Sequence, residues 1–185
     1  MSQTTTRITL DEFLALPEEE PALEFEDGMV TQKVSPKGRH SRLQTWAVGQ
    51  FNIRIEPNKL GLAFTELRAT FANMSRVPDV SVYRWDRIPR DVNGDVADDF
   101  TEPPDIAIEI VSPGQSVNRL IRRCLTFVDA GVLVAVLIDP TDRSVVVVRP
   151  GVEPIGLATG DTLDLSDIIP DLRLDVAALF ESLRL

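Results

Sequence analysis

Asp79, in Val77-Pro78-Asp79-Val80-Ser81-Val82, and Glu109, in Ile106-Ala107-Ile108-Glu109-Ile110-Val111, each interrupt an apolar run with the character of a buried strand. A carboxylate in such a run gives up its hydration unless a cation or hydrogen-bond donors replace it, so the pair points to a site for a hard divalent metal. Strand alternation puts Asp105, Ala107, Glu109 and Val111 on one face and Ile106, Ile108 and Ile110 on the other. The helix expected after Glu109 carries Arg119, Arg122 and Arg123, which can face a phosphate once a metal has neutralised the acids. Acids and arginines together suggest phosphodiester chemistry. Taken singly, each acid has a plainer reading. Glu109 would pair with an arginine at the edge of the core, and Asp79 would accept backbone amides at a strand start.

Other candidates depend on these two. His40, the only histidine, stands between Arg39 and Ser41 near a helix start, as a surface or capping residue or as a contact to phosphate or metal. Lys33, Lys37, Arg39 and Arg42 cluster around it, while acids concentrate at 18–27 and 91–102. A net charge of −10 opposes non-specific binding to a polyanion, yet local fields around the basic cluster still favour a phosphate. Glu24, between Leu23 and Phe25, reads in isolation as a solvated strand residue. The single cysteine, Cys124, excludes an internal disulfide framework and a multi-cysteine zinc site; among Leu120, Ile121, Leu125 and Val128 it is a core thiol.

The positioning elements follow from periodicity and turn chemistry. Thr9-Leu10-Asp11-Glu12 has capping-box spacing and starts a short helix over 10–16. Strands over 23–25 and 29–34 form a hairpin around Glu26-Asp27-Gly28. Leu43, Trp46, Ala47 and Phe51 recur at helical spacing from 40 to 55, until Pro57 stops the pattern. Strands over 62–71 and 77–83 precede a polar, solvated excursion at 86–104. A strand at 105–111 then leads through Ser112-Pro113-Gly114 into a helix with its stripe at Val117, Leu120, Ile121, Cys124, Leu125 and Val128. A wholly apolar strand at 132–138, a strand at 145–148, a looser segment at 150–174 and a closing helix over 175–183 complete the chain.

With 185 residues, 43% of them hydrophobic, and no internal repeat or linker, the chain suits one domain spanning 1–185. No apolar run reaches the length of a membrane span, and Met1-Ser2-Gln3-Thr4-Thr5-Thr6 lacks the pattern of a leader. The expectation is a soluble, cytoplasmic protein.

Thr9 to Pro17, Glu24 with Asp27-Gly28, His40, Pro78-Asp79-Val80, Pro104-Asp105-Ile106 through Glu109-Ile110-Val111-Ser112-Pro113, and Ala130-Gly131-Val132 through Asp139-Pro140 occur in an order that resembles the Uma-type restriction endonucleases of bacteria, in the PD-(D/E)XK nuclease superfamily. The similarity runs over nearly the whole chain, including the tail at 168–180. It implies an α/β fold: a restriction-endonuclease-like core with a mixed central sheet flanked by helices, preceded by an N-terminal helix and hairpin, in a protein that is commonly a homodimer. It further implies that Asp79 and Glu109 hold a divalent metal, with Glu24 close by; the expectation here is Mg2+ or Mn2+, assisted by the Ile110 carbonyl. The family's catalytic lysine is typically supplied by the helix after the glutamate; here Arg123 stands at that position, and no lysine follows Lys59. Asn118 and Ala135-Val136 also depart from the family pattern.

Arginine cannot deprotonate an attacking water, because its pKa lies above about 12, but it can hold a phosphate oxygen through two parallel hydrogen bonds. Helical geometry alone does not choose between Arg122 and Arg123. The first expectation is therefore a metal-dependent DNA endonuclease in which Asp79, Glu109, Arg123 and Glu24 act at the scissile bond and His40, Arg39, Arg42 and Arg119 contact substrate. The alternatives are a catalytically inactive nuclease fold that binds nucleic acid or a protein partner, and a structural homodimer.

Overall fold

The computed structural model describes residues 7–185; residues 1–6, read above for a leader, lie outside the described residues. In chain order the elements are α1 (Leu10–Leu14), β1 (Leu23–Glu26), β2 (Met29–Gln32), α2 (Gly38–Ile55), β3 (Gly61–Thr65), β4 (Ala69–Phe71), β5 (Met74–Arg76), β6 (Val80–Arg84), β7 (Ile106–Ile110), α3 (Val117–Asp129), β8 (Val134–Asp139), β9 (Ser144–Val148), β10 (Ile155–Leu157), β11 (Thr162–Asp164), β12 (Arg173–Asp175) and α4 (Val176–Glu181). The fold is mixed α/β. A central six-stranded sheet has the order β10-β9-β8-β7-β6-β3, in which β7 and β8 are parallel and joined through α3 while the other pairs are antiparallel. A four-stranded sheet, β2-β1-β5-β4, and a two-stranded one, β11-β12, stand beside it.

Local chemistry accounts for the element ends. Thr9 and Glu12 form the reciprocal capping box, with Thr9 N–H donating to Glu12 Oε2 at 2.7 Å. The β1–β2 turn places Asp27 at φ 49 and Gly28 at φ 78, the doubly positive pair that a tight hairpin turn requires. The single strand expected over 62–71 is two strands, because the chain turns at Glu66, φ 49, and passes from the central sheet to the smaller one. The strand expected from 77 begins at Val80: Pro78 has no N–H to give to a ladder, and the preceding Met74–Arg76 joins the other sheet. The segment 86–104 is less solvated than its composition suggests. Ile88 and Phe100 are buried, and the Phe100 ring lies 4.9 Å from that of Tyr83 and 5.3 Å from that of Phe64.

The two faces of the central sheet form two apolar layers. Ile106, Ile108 and Ile110 of β7 join Leu43, Ala47, Phe51 and Ile55 of α2 and the C-terminal Leu172, Leu179 and Phe180 on one side. Ala107 and Val111 join Leu120, Cys124, Phe127 and Val128 of α3 on the other, in the alternation read from the sequence. Among the described residues no helix is long and apolar enough to cross a membrane.

Candidate active site

β6 and β7 run antiparallel with Val80 opposite Ile108, and that register brings Asp79, one residue ahead of β6, beside Glu109. The Ile110 N–H donates to Asp79 Oδ2 at 2.7 Å. Both carboxylates are buried.

Arg123 reaches the same point from α3, while Arg122, one residue earlier on the helix, is exposed. Its Nε donates to Glu109 Oε1 at 2.8 Å, and its two terminal nitrogens each donate to one oxygen of Glu24 at 2.6 Å. Three of the five guanidinium N–H groups are thus committed to carboxylates and two remain for another acceptor. Glu24, expected in isolation to be solvated, is buried because the hairpin folds over the sheet: it also accepts the Val77 N–H at 2.8 Å and lies 3.4 Å from Arg76. Arg76 in turn pairs with Glu26.

Two site residues escaped the sequence reading. Lys33, grouped there with the basic cluster around His40, turns inward from the end of the hairpin, and its Nζ donates to Asp79 Oδ1 at 2.8 Å and Glu66 Oε2 at 2.6 Å. Glu66 stands at the break between β3 and β4, where its other oxygen accepts Gln44 Nε2 at 2.9 Å. The only available signal was Lys33 directly after a strand whose neighbour, β1, already carried Glu24; the 46-residue separation from Asp79 is visible only in the fold. His40 is neither a surface residue nor a cap. It is buried on α2, with Nδ1 3.0 Å from Ser112 Oγ and Nε2 3.4 Å from Asp79 Oδ1, and Nε2 takes no hydrogen bond among the described residues.

Five carboxylates (Glu24, Glu26, Glu66, Asp79 and Glu109) are ion-paired with three cations (Lys33, Arg76 and Arg123), and Arg119 and Arg122 add positive charge on the wall of the same cleft. Burial pushes the Glu109 carboxyl up to about 7; Arg123 and Lys33 work against that shift, and the neighbouring Asp79 and Glu24 charges reinforce it. Burial also acts to raise Asp79, but His40 and the Lys33 ammonium hold it below the ordinary carboxylate range. Lys33 is raised despite its burial, by Asp79, Glu109 and Glu66. Two adjacent buried acids of opposite tendency fit a divalent cation. Asp79, Glu109 and Ile110 all line a cleft of about 590 Å3, and Arg123 reaches Glu109 only through Oε1. A second donor set, His40, Glu66 and Asp79, offers one ligand atom each within 4.8 Å of one another.

The same cleft is lined by Glu24, Lys33, His40, Ser116, Arg119 and Arg122. Arg119 therefore borders the same cleft as the acids. Arg39 is exposed and not among the lining residues, and Arg42 donates from Nε to the Ser182 carbonyl at 2.8 Å, tying α2 to the end of α4 rather than reaching the cleft. Their placement follows from α2: His40 and Gln44 occupy its buried stripe, and positions 39 and 42 point elsewhere. On the far side of Lys33 a separate cleft of about 770 Å3 is rimmed by Glu18, Glu19, Glu20, Glu66, Asp98 and Asp99. Asp105, on the Glu109 face of the strand, lies away from the site and is held by Arg84 and Arg87 at 2.9 and 2.8 Å.

A family described as "Uma2: Putative restriction endonuclease" matches residues 10–177. Among solved structures, a crystal structure of a putative nuclease belonging to DUF820 from Anabaena variabilis ATCC 29413 superposes with a TM-score of 0.90 at 40% identity, covering 95% of this chain and 98% of that one. A DrdV–DNA complex matches with a TM-score of 0.33 and 14% identity, over 62% of this chain and 9% of that one. No curated protein matches.

Proposed function

The chain belongs to the Uma2 family of restriction-endonuclease-like proteins, and from that membership and the Asp79–Glu109 geometry we propose that it is a divalent-metal-dependent endonuclease acting on DNA. The observation that carries the reading is the juxtaposition of two buried acids, Asp79 and Glu109, on one cleft that Ile110 also lines. Asp79, Glu109 and the Ile110 carbonyl hold Mg2+ or Mn2+ in this reading. A bound ion supplies Lewis acidity to a water and to the scissile phosphate.

The protein's own groups do the rest. The two uncommitted N–H groups of Arg123 hold a non-bridging phosphate oxygen and offset charge that grows in the transition state. Glu24 keeps the guanidinium in place by accepting both terminal nitrogens. Arg119 and Arg122 present positive charge along the cleft wall, and the acidic cleft beyond Lys33 repels a phosphodiester backbone, so the strand is confined to the arginine side. Cutting both strands of a duplex calls for two such sites, which a homodimer supplies.

The test is nicking of supercoiled plasmid and cleavage of single-stranded DNA in Mn2+ and Mg2+. The parent cuts, Asp79→Asn and Glu109→Gln do not, and excess chelator abolishes the activity; a parent inert in both ions overturns the proposal. One observation favours a second reading, a nuclease fold that binds without cutting: internal cations already neutralise Glu109 and Asp79. Arg123→Lys separates the two. A silent parent that gains activity is a lapsed nuclease, and an active parent that loses it uses the arginine directly.

A further inference from the structure

We propose that the cleft takes one unpaired DNA strand in a fixed orientation, its phosphates along α3 at Arg119 and Arg122 and its bases against the β1–β2 hairpin at Met29, so that single-stranded DNA is preferred over duplex. The endonuclease reading supplies the ligand class on which this rests; the strand preference comes from the unlike character of the two walls. The hairpin wall repels phosphate. β1, β2 and the turn between them contain no lysine or arginine, and Glu26 and Asp27 of this hairpin line the cleft. Glu24 stands opposite Thr31 and Glu26 opposite Met29, so strand alternation puts these four side chains on the face toward the cleft, which all of them line. Phe25 turns the other way, onto Phe13 at 5.4 Å between ring centroids. Met29 is 47% exposed. A lone exposed apolar side chain is ordinary on an open surface; this one stands in a cleft wall, with the Thr31 hydroxyl on the same face.

The α3 wall has the reverse character. The helix carries no acid before Asp129, and Arg119, Arg122 and Thr126 line the cleft at a spacing that gathers them with Arg123 on one face. Arg76 and Arg123 are already held by Glu24, Glu26 and Glu109, whereas Arg119 and Arg122 are exposed. Two solvated guanidiniums one helical turn apart suit successive phosphates of one backbone.

A duplex presents phosphates on both flanks, so seating one strand on α3 brings the other against Glu26 and Asp27, where like charge repels it. A single strand has one charged edge and one aromatic edge and satisfies both walls at once. The polarisable thioether of Met29 makes a favourable contact with an aromatic ring, here an unstacked base. The net charge of −10 adds a penalty for every further phosphate brought near the protein, which again disfavours the duplex.

The test is fluorescence anisotropy at low salt, in chelator and again in Ca2+, with a labelled oligonucleotide alone and annealed to its complement. The single strand is expected to bind more tightly than the duplex. Met29→Ala weakens the single strand by about 2–12-fold and leaves the duplex unchanged, while Met29→Phe restores or exceeds the parent affinity because a phenyl ring also stacks on a base. Both substitutions fall at an exposed position, so the fold is retained. Arg122→Ala weakens both forms and lowers the single-strand salt slope by about 0.7. A strand carrying 5-iodouracil cross-links on irradiation to the peptide that contains Met29. Duplex bound as tightly as single strand, single-strand affinity indifferent to Met29→Ala, or a cross-link to α3 instead of the hairpin overturns this proposal, and cleavage in Mn2+ then still upholds the endonuclease reading. A parent that binds neither form and cuts neither overturns both.

Discussion

Replacing Arg123 with alanine removes the one cation that both Glu24 and Glu109 share. Their side chains are 5% and 6% exposed, and the substitution takes away three short charge-assisted bonds at 2.6, 2.6 and 2.8 Å. Breaking a buried ion pair by deleting one partner costs about 3–5 kcal/mol, because the remaining charge stays desolvated. Here two carboxylates are stranded, which places Arg123→Ala at the upper end of that range. Arg76 still lies 3.4 Å from Glu24 and limits the loss there, whereas Glu109 has no second contact of that kind at its Oε1. For a domain of this size each kcal/mol moves the melting temperature by about 2–4 °C, so the variant should melt roughly 10–20 °C below the parent at pH 8. The deficit has a pH signature. Lowering the pH to 5.5 lets the stranded acids take up protons, and the gap between variant and parent narrows. Urea denaturation at both pH values measures it. A loss of less than about 1 kcal/mol at pH 8, or a gap that widens on acidification, would refute the view of Arg123 as the counter-ion of this cluster.

Other outcomes follow from the same contacts. Glu109 is raised from 4.5 to about 7, so the folded state holds more protons than the unfolded one across that window and this residue's contribution to stability declines as pH rises through it. Divalent-ion binding by ionised Glu109 should therefore release a proton below pH 7 and strengthen with pH up to that point, as calorimetry in buffers of different ionisation enthalpy will register. Asp79 behaves oppositely: its folded value is depressed from 3.8, so its contribution is present above that value and is lost as pH falls below it, and Asp79→Asn should flatten the acid limb of the unfolding profile. Asp105→Asn, at a fully buried carboxylate whose partners Arg84 and Arg87 stay partly solvated, should lower stability by about 1–3 kcal/mol while leaving Mn2+ affinity unchanged, measured by denaturation and calorimetry together. Arg119→Ala should weaken DNA binding and reduce the slope of log affinity against log salt by about one, read by fluorescence anisotropy over a salt series.

How much of this was legible in the sequence varied with the range of the interaction. The Ile-x-Ile-Glu-Ile pattern fixed which face of β7 carries Glu109, because alternation is local and both faces are buried by recognisable apolar partners. The capping box and the Asp27-Gly28 turn were likewise readable, since their geometry is settled within four residues. Helical periodicity left Arg122 and Arg123 equivalent; only the packing of α3 beside β7 brings Arg123 to Glu109, and only the hairpin supplies Glu24 on its other side. The bases at 33–42 looked like one patch and are not. Lys33 turns into the site, Arg39 faces out, and Arg42 binds the Ser182 carbonyl, because a strand end and successive positions on a helix point in different directions. The absence of lysine after Lys59 drew attention to what α3 lacks, while the ammonium that meets Asp79 comes from 46 residues upstream of it. Glu66 gave no sign at all: a polar residue at a strand break is ordinary until the fold sets it against Lys33 and Gln44.

The central claim is that Asp79 and Glu109 together hold a divalent ion. Anomalous diffraction from a crystal soaked in Mn2+ tests it most directly. The account predicts a peak coordinated by an oxygen of each acid and by the Ile110 carbonyl. A map with no peak at this pair, and with the Arg123 guanidinium and Lys33 ammonium still seated on the two carboxylates, would contradict it.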